Sequence, residues 1–284
     1  MKNLTIYLFS FLFVLPLWAA PKAETVSLST QDGWALSAIY LPAQAQQKTV
    51  ILLHDLNKKK EEFTSLMGDL NKAGIGYLSV DLRGHGFSVG RGGVNGFAKE
   101  GVDNPFNKMT YDVQAAVAFL KGKGVAIDQI VLLGAGLGAQ VAAKSAILTG
   151  VERMALISPS ANIRDVLVIP SLRLYKGDVL IAASAGDKKG FLEASVIRNV
   201  AFLTTGEGKV TFLTAYDLSS HEMLDKYLRP VVVQWIKTPH KPDVLPDVRP
   251  SAMAPTGAVT DTEGIPVDSS PTEQALVPSV LGGM

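Results

Sequence analysis

The stretch Ile130–Ala143 constrains the fold of this chain more than any other. It begins with an apolar run of β-branched and leucine residues, passes through three glycines at alternate positions centred on Gly136, and then becomes alanine-rich. The run predicts a buried strand, the glycines predict a very tight turn, and the alanine-rich part predicts a helix. We therefore expect a strand–turn–helix unit with Gly136 at the apex of the turn.

Strand and helix patterns alternate with short connections over most of the chain from Thr25 to Ile236. Such alternation predicts a mostly parallel sheet covered by helices on both faces. The first two strands, around the Asp32-Gly33 turn, are expected to form a β-hairpin. The segment from Ser160 to Gly177 is too short for a helical lid, so we expect an open site.

The unit around Gly136 resembles the nucleophile elbow of the α/β-hydrolase superfamily, particularly of its serine-aminopeptidase-like and dienelactone-hydrolase-like bacterial members. That elbow has the pattern G-x-S-x-G, with the nucleophile at a strained apex. The stretch Asp81–Ser88 is also similar to the D-x-R-G-x-G-x-S turn of the superfamily. The resemblance implies an α/β-hydrolase fold, α/β in class, without a large lid domain. At the apex, however, glycine provides no Oγ to attack a carbonyl.

In chain order the superfamily places a nucleophile, an acid and a histidine. By position these correspond here to Gly136, Asp187 and His221. The resemblance implies that His221 is the remnant base and that Asp187 is the acid that orients it. We expect these two side chains to form a hydrogen-bonded pair at the carboxyl ends of the strands, where open α/β sheets bind ligands.

The resemblance also implies an oxyanion hole formed by the backbone N–H groups of Leu56 and Leu137. Many members carry a His-Gly pair just before the first donor, whereas this chain has His54-Asp55. Asp55 therefore puts a carboxylate near a spot built for developing negative charge.

Other polar residues near the predicted site are interpreted as structural. We expect Arg83 to be a buried hydrogen-bond anchor and His85 to be a turn residue, not a base. Four serines, at positions 145, 158, 184 and 220, are weighed as substitute nucleophiles. Ser145 should point away from the site, and the other three are typical of turns or helix caps.

Composition excludes several other classes of function. The chain has a net charge of +1, and its longest basic run, Lys58–Lys60, is interpreted as the solvated start of a helix, so no nucleic-acid partner is expected. There is no cysteine, and the four histidines lack H-x-x-x-H spacing, so no metal site is expected. The glycines around position 136 lack the dinucleotide-binding spacing, and no cofactor is predicted.

The two ends differ from the body of the chain. Residues 1–20 have the layout of a secretory signal peptide, with an apolar core shorter than the ~20 residues of a membrane span. We expect them to be removed, leaving no stable membrane span and a protein in a bacterial periplasm or medium. Residues 24–237 form the predicted α/β-hydrolase domain, and residues 238–284 are predicted to be a proline-rich, disordered tail.

These observations lead to three functional hypotheses. The first, which the sequence favours, is an exported α/β-hydrolase-fold protein without its serine nucleophile, non-catalytic or vestigial, that binds a small acyl or peptidyl molecule or a partner. The second is an active esterase- or peptidase-type hydrolase in which His221 and Asp187 activate water. The third is an active enzyme into which Gly136 was introduced. Substrate and oligomeric state are not predicted.

Overall fold

The structure is a computed structural model that describes residues 21–90, 93–98, 100–101, 103–215 and 220–239, without the side chains of Ser220 and His221. The predicted signal peptide and all but the first two residues of the predicted tail lie outside the described residues. Of the described helices, none has the length and apolar character needed to cross a membrane.

An eight-stranded sheet forms the centre of the fold, in the order β1-β2-β4-β3-β5-β6-β9-β10, and β7 and β8 make a separate small hairpin. The strands are β1 Glu24–Ser29, β2 Ala35–Leu41, β3 Thr49–Leu53, β4 Gly76–Val80, β5 Ile130–Ala135, β6 Arg153–Ile157, β7 Asn162–Ile163, β8 Val166–Leu167, β9 Asp178–Ser184 and β10 Val210–Ala215. The predicted N-terminal hairpin is confirmed, since β1 and β2 pair in antiparallel fashion. From β4 to β10 neighbouring strands are parallel.

Helices cover both faces of this sheet. They are α1 Thr64–Lys72, α2 Met109–Gly122, α3 Leu137–Thr149, α4 Ile169–Leu172, α5 Lys188–Thr205, α6 Ser220–Met223 and α7 Arg229–Lys237. Helices α2, α3 and α5 contribute to one apolar core and α1 and α7 to the other. Alternate residues of β3 enter opposite cores, which is why that strand has a continuous apolar sequence. The predicted α/β-hydrolase architecture is confirmed.

The strand order reverses direction at β3 and β5. From β3 the chain moves outward to β4, whereas from β5 it moves the other way through β6 to β10. Ligands of open α/β sheets bind at such a switch point, outside the carboxyl ends of the strands. In the register of this pair Leu53 lies opposite Gly134. The residues that follow β3 and β5 are therefore brought together at the expected place.

Two local interpretations of the sequence differ from the structure. By helical spacing Leu192, Val196 and Val200 share one face, which predicts that this face is buried. In α5, however, Leu192 and Val196 are exposed, and the buried residues are Ala194, Ile197 and Ala201. Two of these three buried side chains are alanines, which a pattern of large apolar residues does not mark. Between Ser160 and Gly177 the chain forms the β7–β8 hairpin and the short α4, which the sequence did not predict.

Candidate active site

Gly136 lies at a sharp bend between β5 and α3, as predicted. Its φ of 49° and ψ of −118° are rarely adopted by residues with a side chain. Its N–H donates to the carbonyl of Ile157 at 3.0 Å, and its own carbonyl accepts from the N–H of Ala139 at 3.0 Å. The first bond ties the bend to the neighbouring strand β6, and the second ties it to the first turn of α3.

The other two glycines of the stretch allow β5 and α3 to approach closely. A Cβ on Gly134 would overlap the backbone of Gly138, and a Cβ on Gly138 would overlap the carbonyl of Leu53. Both positions thus exclude any side chain for steric reasons. The three alternate glycines reflect backbone packing as well as the φ angle at the apex.

The carboxylate of Asp55 occupies the position at which the predicted oxyanion-hole donors converge. Its Oδ1 atom accepts a hydrogen bond from the backbone N–H of Leu56 at 2.6 Å and another from the N–H of Leu137 at 2.8 Å. A Cβ built on Gly136 would overlap the same carboxylate. The backbone N–H of Asp55 in turn donates to Oε2 of Glu62 at 2.8 Å. The structure thus brings both predicted donors onto one atom of the chain itself.

The ring of His54, for which the sequence predicted no role, holds the backbone at Asp55 through hydrogen bonds. Its Nε2 accepts a hydrogen bond from the N–H of Leu82 at 3.0 Å, so its Nδ1 carries the proton and donates to the carbonyl of Asp55 at 2.8 Å. Burial lowers the pKa of His54 to about 4, because the cation would lose its hydration. His54 is therefore a neutral structural group that fixes the backbone at Asp55.

Arg83 is the buried anchor that the sequence predicted. Its Nε donates to Oδ1 of Asp112 at 2.8 Å, and its Nη1 donates to Oδ2 of Asp32 at 2.6 Å. The hydrogen bond from Arg83 lowers the pKa of Asp32. His85 is buried in the same turn, with its ring centroid 4.8 Å from that of His54. The turn ties the N-terminal hairpin and α2 to the end of β4.

The interpretation of Lys58–Lys60 as a solvated helix start is wrong for its last residue. Lys60 begins a 3₁₀ turn that spans Lys60–Phe63, and only 3% of its surface is exposed. Its Nζ donates to Oδ2 of Asp81 at 2.6 Å, and its N–H donates to Oδ1 of the same carboxylate at 2.8 Å. A buried ammonium is tolerated here because it is paired and hydrogen-bonded.

Asp187 lies in the turn between β9 and α5, and the helix of His221 begins soon after β10, the strand next to β9. Asp187 is exposed and caps α5 by accepting a hydrogen bond from the N–H of Gly190 at 3.0 Å. The side chain of His221 and residues 216–219 lie outside the described residues. The pairing of Asp187 with His221 therefore stays a prediction.

The serines near the site have structural surroundings where they are described. Ser184 is buried, and its Oγ accepts from the N–H of Gly186 at 3.2 Å, as a turn residue does. Ser158 turns the chain after β6 with a φ of 47°, and its N–H donates to the carbonyl of Ala182 at 2.7 Å. Ser145 is buried within α3.

A small cavity of about 140 Å³ adjoins the loop after β3. Its lining consists of Leu56, Asn57, Val94, Asn95, Phe106 and Arg164. A larger cleft of about 580 Å³ lies at the opposite, amino edge of the sheet, where Arg153 and Asp178 begin β6 and β9. Among the described residues, no group of three His, Cys, Asp or Glu side chains is placed to hold a metal ion.

Many solved structures have a fold similar to that of this chain. An esterase of Pyrococcus furiosus is 18% identical, with a TM-score of 0.62 over 79% of this chain and 97% of that protein. A dienelactone hydrolase of Anabaena variabilis is 15% identical, with a TM-score of 0.61 over 77% and 96% of the two chains. An esterase of Exiguobacterium antarcticum is 14% identical, with a TM-score of 0.58 over 76% and 100%. At these identities the likeness establishes the fold alone.

A comparison with curated protein sequences gave no match. The family model of serine aminopeptidase, S33, matches residues 44–185, which is half of the chain and includes the β3 loop, the Arg83 turn and the Gly136 bend. The chain therefore belongs to the serine aminopeptidase S33 family, within the α/β-hydrolase superfamily.

Proposed function

We propose that this chain is an exported protein of the α/β-hydrolase fold that does not transfer acyl groups through a serine nucleophile, and that it binds a small acyl or peptidyl molecule or a partner instead. The observation that carries the proposal is the Asp55 carboxylate, whose Oδ1 accepts the N–H groups of both Leu56 and Leu137.

Two requirements of acyl transfer fail at this place. A nucleophile needs an Oγ or Sγ at the bend, and Gly136 has no side chain. The second requirement is a pair of N–H donors free to stabilise a developing oxyanion, and each such donor lowers the activation barrier by about 3 kcal/mol. At Leu56 and Leu137 a fixed carboxylate already accepts both bonds, and its charge would repel a second anion.

The same occupied donors argue against direct attack by water. A water molecule activated by His221 and Asp187 would still generate a tetrahedral oxyanion that needs the two N–H groups. No other pair of N–H donors is seen beside the bend among the described residues. A role in binding requires neither an empty oxyanion hole nor a nucleophile.

Export rests on the amino-terminal sequence. Residues 1–20 combine a single lysine near the start, an apolar segment and the small residues Ala19 and Ala20, which is the layout of a cleaved signal peptide. Amino-terminal sequencing of the protein recovered from a bacterial periplasm tests this part of the proposal. An intact Met1 would contradict it.

The first test measures the chemistry. Purified protein is assayed with short p-nitrophenyl esters and aminoacyl p-nitroanilides and is treated with a fluorophosphonate probe. We expect no labelling, and no turnover above that of His221→Ala. Turnover at ordinary enzyme rates that is lost in His221→Ala would refute the proposal.

The second test restores a serine at the bend, first alone and then in a variant that also lacks the Asp55 side chain. Gly136→Ser should stay unlabelled by the fluorophosphonate, because its Cβ would overlap Asp55 and the two donors would remain occupied. Asp55→Gly combined with Gly136→Ser removes both obstacles, and we expect probe labelling in that variant alone. Labelling of Gly136→Ser by itself would show that Asp55 does not close the site.

A further inference from the structure

Helix α5 exposes a row of four side chains to solvent. Leu192, Val196 and Leu203 are 66%, 45% and 88% exposed, and the exposed Asn199 lies between the last two. Successive members of this row are four, three and four positions apart, so they lie on one face of the helix and are called the α5 stripe below. Apolar side chains scattered singly over a surface are ordinary, whereas a contiguous exposed group marks an interaction surface.

The α5 stripe is separate from the side of the helix that packs into the fold. The buried residues of α5, which belong to the core on that face of the sheet, are Ala194, Ile197 and Ala201. A further apolar side chain, Leu174, is 68% exposed. It lies near the carboxyl end of the stripe, because Lys176 donates from its Nζ to the carbonyl of Thr204 at 2.8 Å. The apolar surface along α5 therefore adds nothing to the core of this chain.

We propose that the α5 stripe binds the same stripe on a second copy of this chain, with the two helices antiparallel. The spacing of four, three and four is identical when it is read from either end, so a two-fold axis through its centre pairs the stripe with itself. Leu192 of one copy then meets Leu203 of the other, and Val196 meets Asn199. A two-fold dimer needs such a self-complementary patch, and alternate steps of three and four are those of a coiled-coil seam.

The charges at the two ends of α5 favour the antiparallel arrangement. Lys188 and Lys189 are exposed in the first turn, where the helix dipole already contributes partial positive charge. The last turn contains no basic residue, and the exposed Glu207 follows it. The next basic residue, Lys209, donates its Nζ to the carbonyl of Lys176 at 2.9 Å. An antiparallel pair brings the ammonium groups of one copy towards the negative end of the other helix, whereas a parallel pair would bring like charges together.

The size of the contact sets the expected affinity. A helix of 18 residues is about 27 Å long and about 10 Å wide. Two such faces bury on the order of 1,000 Å² in total, which is at the low end for specific interfaces. We therefore expect a weak dimer that dissociates at micromolar concentrations.

The pairing would bring the second copy to the edge of the candidate site. Asp187 caps the amino end of α5, at the carboxyl ends of the strands. The carboxyl end of the other α5 then lies beside this turn. The inference itself goes beyond the proposed function and does not depend on whether the site is catalytic.

Sedimentation velocity of the purified chain between about 1 and 200 µM tests the pairing. We expect monomer to convert to dimer with a midpoint on the order of 10 µM. Leu203→Lys places a charge in the α5 stripe at an exposed position, so the variant should stay monomeric with unchanged circular dichroism. Leu148→Lys is the matched control, because Leu148 is 55% exposed on α3, outside the stripe, and it should dimerise like the unaltered chain. A monomer at every concentration, or equal dimerisation of Leu203→Lys, would overturn the inference.

Two further variants test the geometry of the pair. Asn199→Leu replaces the polar member of the stripe and should lower the dissociation constant about tenfold, since a polar residue in a helix seam costs stability. Gly208→Cys introduces a single cysteine for a spin label into a chain that has none, at a position with open space around its Cβ. The axis at the centre of the stripe predicts about 30 Å between the two labels, against about 15 Å or less for parallel helices. The shorter distance, or an unchanged or weaker dimer of Asn199→Leu, would contradict the antiparallel pairing.

Discussion

The Oδ1 atom of Asp55 lies 2.8 Å from the backbone nitrogen of Leu137, a residue 82 positions further along the chain. The contact joins the loop after β3 to the first residue of α3. It exists because β3 and β5 are parallel neighbours whose carboxyl ends coincide. One carboxylate therefore decides how the bend at Gly136 tolerates a side chain and what the two backbone donors can bind.

A side chain at position 136 should destabilise the fold. In Gly136→Ala the backbone keeps a φ of 49°, and the new Cβ overlaps the Asp55 carboxylate. The two effects together should lower the free energy of unfolding by on the order of 3 kcal/mol. Urea denaturation measures this loss. The matched control is Gly150→Ala, which has a φ of 74° but open space around its Cβ, and it should cost about 1 kcal/mol. Equal losses in the two variants would contradict the overlap.

Removing the Asp55 side chain should make position 136 more tolerant. In an Asp55→Gly background, Gly136→Ala should cost about 1 to 2 kcal/mol less than in the unaltered chain, since only the backbone strain remains. A double-mutant cycle of urea midpoints and slopes measures this coupling. Strict additivity would show that the two positions do not meet.

The buried pair of Lys60 and Asp81 predicts a large cost for losing one partner. Lys60→Met leaves a carboxylate with no exposed surface and without its cation, so we expect a loss of about 3 to 5 kcal/mol in unfolding free energy. Lys59→Met is the matched control because the Lys59 side chain is largely exposed, and it should change stability by less than about 0.5 kcal/mol. Similar thermal melting of both variants would show that Lys60 is solvated.

Acid should weaken the fold through His54. Its pKa is about 4 in the folded chain, against an ordinary value of 6.5, so the unfolded chain binds the extra proton between these two values. Stability should therefore fall as pH falls from about 6.5 to 4, by about 3 kcal/mol for this group. The pKa values of Asp32 and Asp69 are lowered by arginine partners, so their contributions are lost at still lower pH.

His54→Gln isolates this effect. The Gln Oε1 atom can accept the N–H of Leu82 but does not titrate, so the slope of stability between pH 6.5 and 4 should decrease relative to the unaltered chain. Urea denaturation at several pH values gives both slopes. Parallel profiles would show that another group accounts for the acid sensitivity.

Much of the fold follows from local sequence patterns. The strand–turn–helix unit at Gly136 could be predicted because glycine spacing and apolar runs are local signals, and the Arg83 turn could be predicted because its motif is contiguous. The exposed Leu192 and the buried Lys60 could not be predicted. Their environments depend on which neighbour packs against them, and local periodicity does not contain that information.

The sequence predicted which residues lie at the site but not the hydrogen bonds between them. The sequence places a carboxylate at Asp55 near the donors Leu56 and Leu137. It does not show that one oxygen accepts both N–H groups, because that geometry depends on the register between β3 and β5 and on the rotamer of Asp55. Asp187 is a second case in which position was predictable but contacts were not. Its position after β9 was predictable, whereas its role as the cap of α5 required the structure.

A Cβ at position 136 and the carboxylate at position 55 would occupy the same space, so the residues tolerated at these two positions should depend on each other. A serine at the bend is therefore expected to cost less stability once Asp55 has been replaced by a smaller residue. In evolution or engineering, exchange of Asp55 before Gly136 should be the less destabilising order of substitutions.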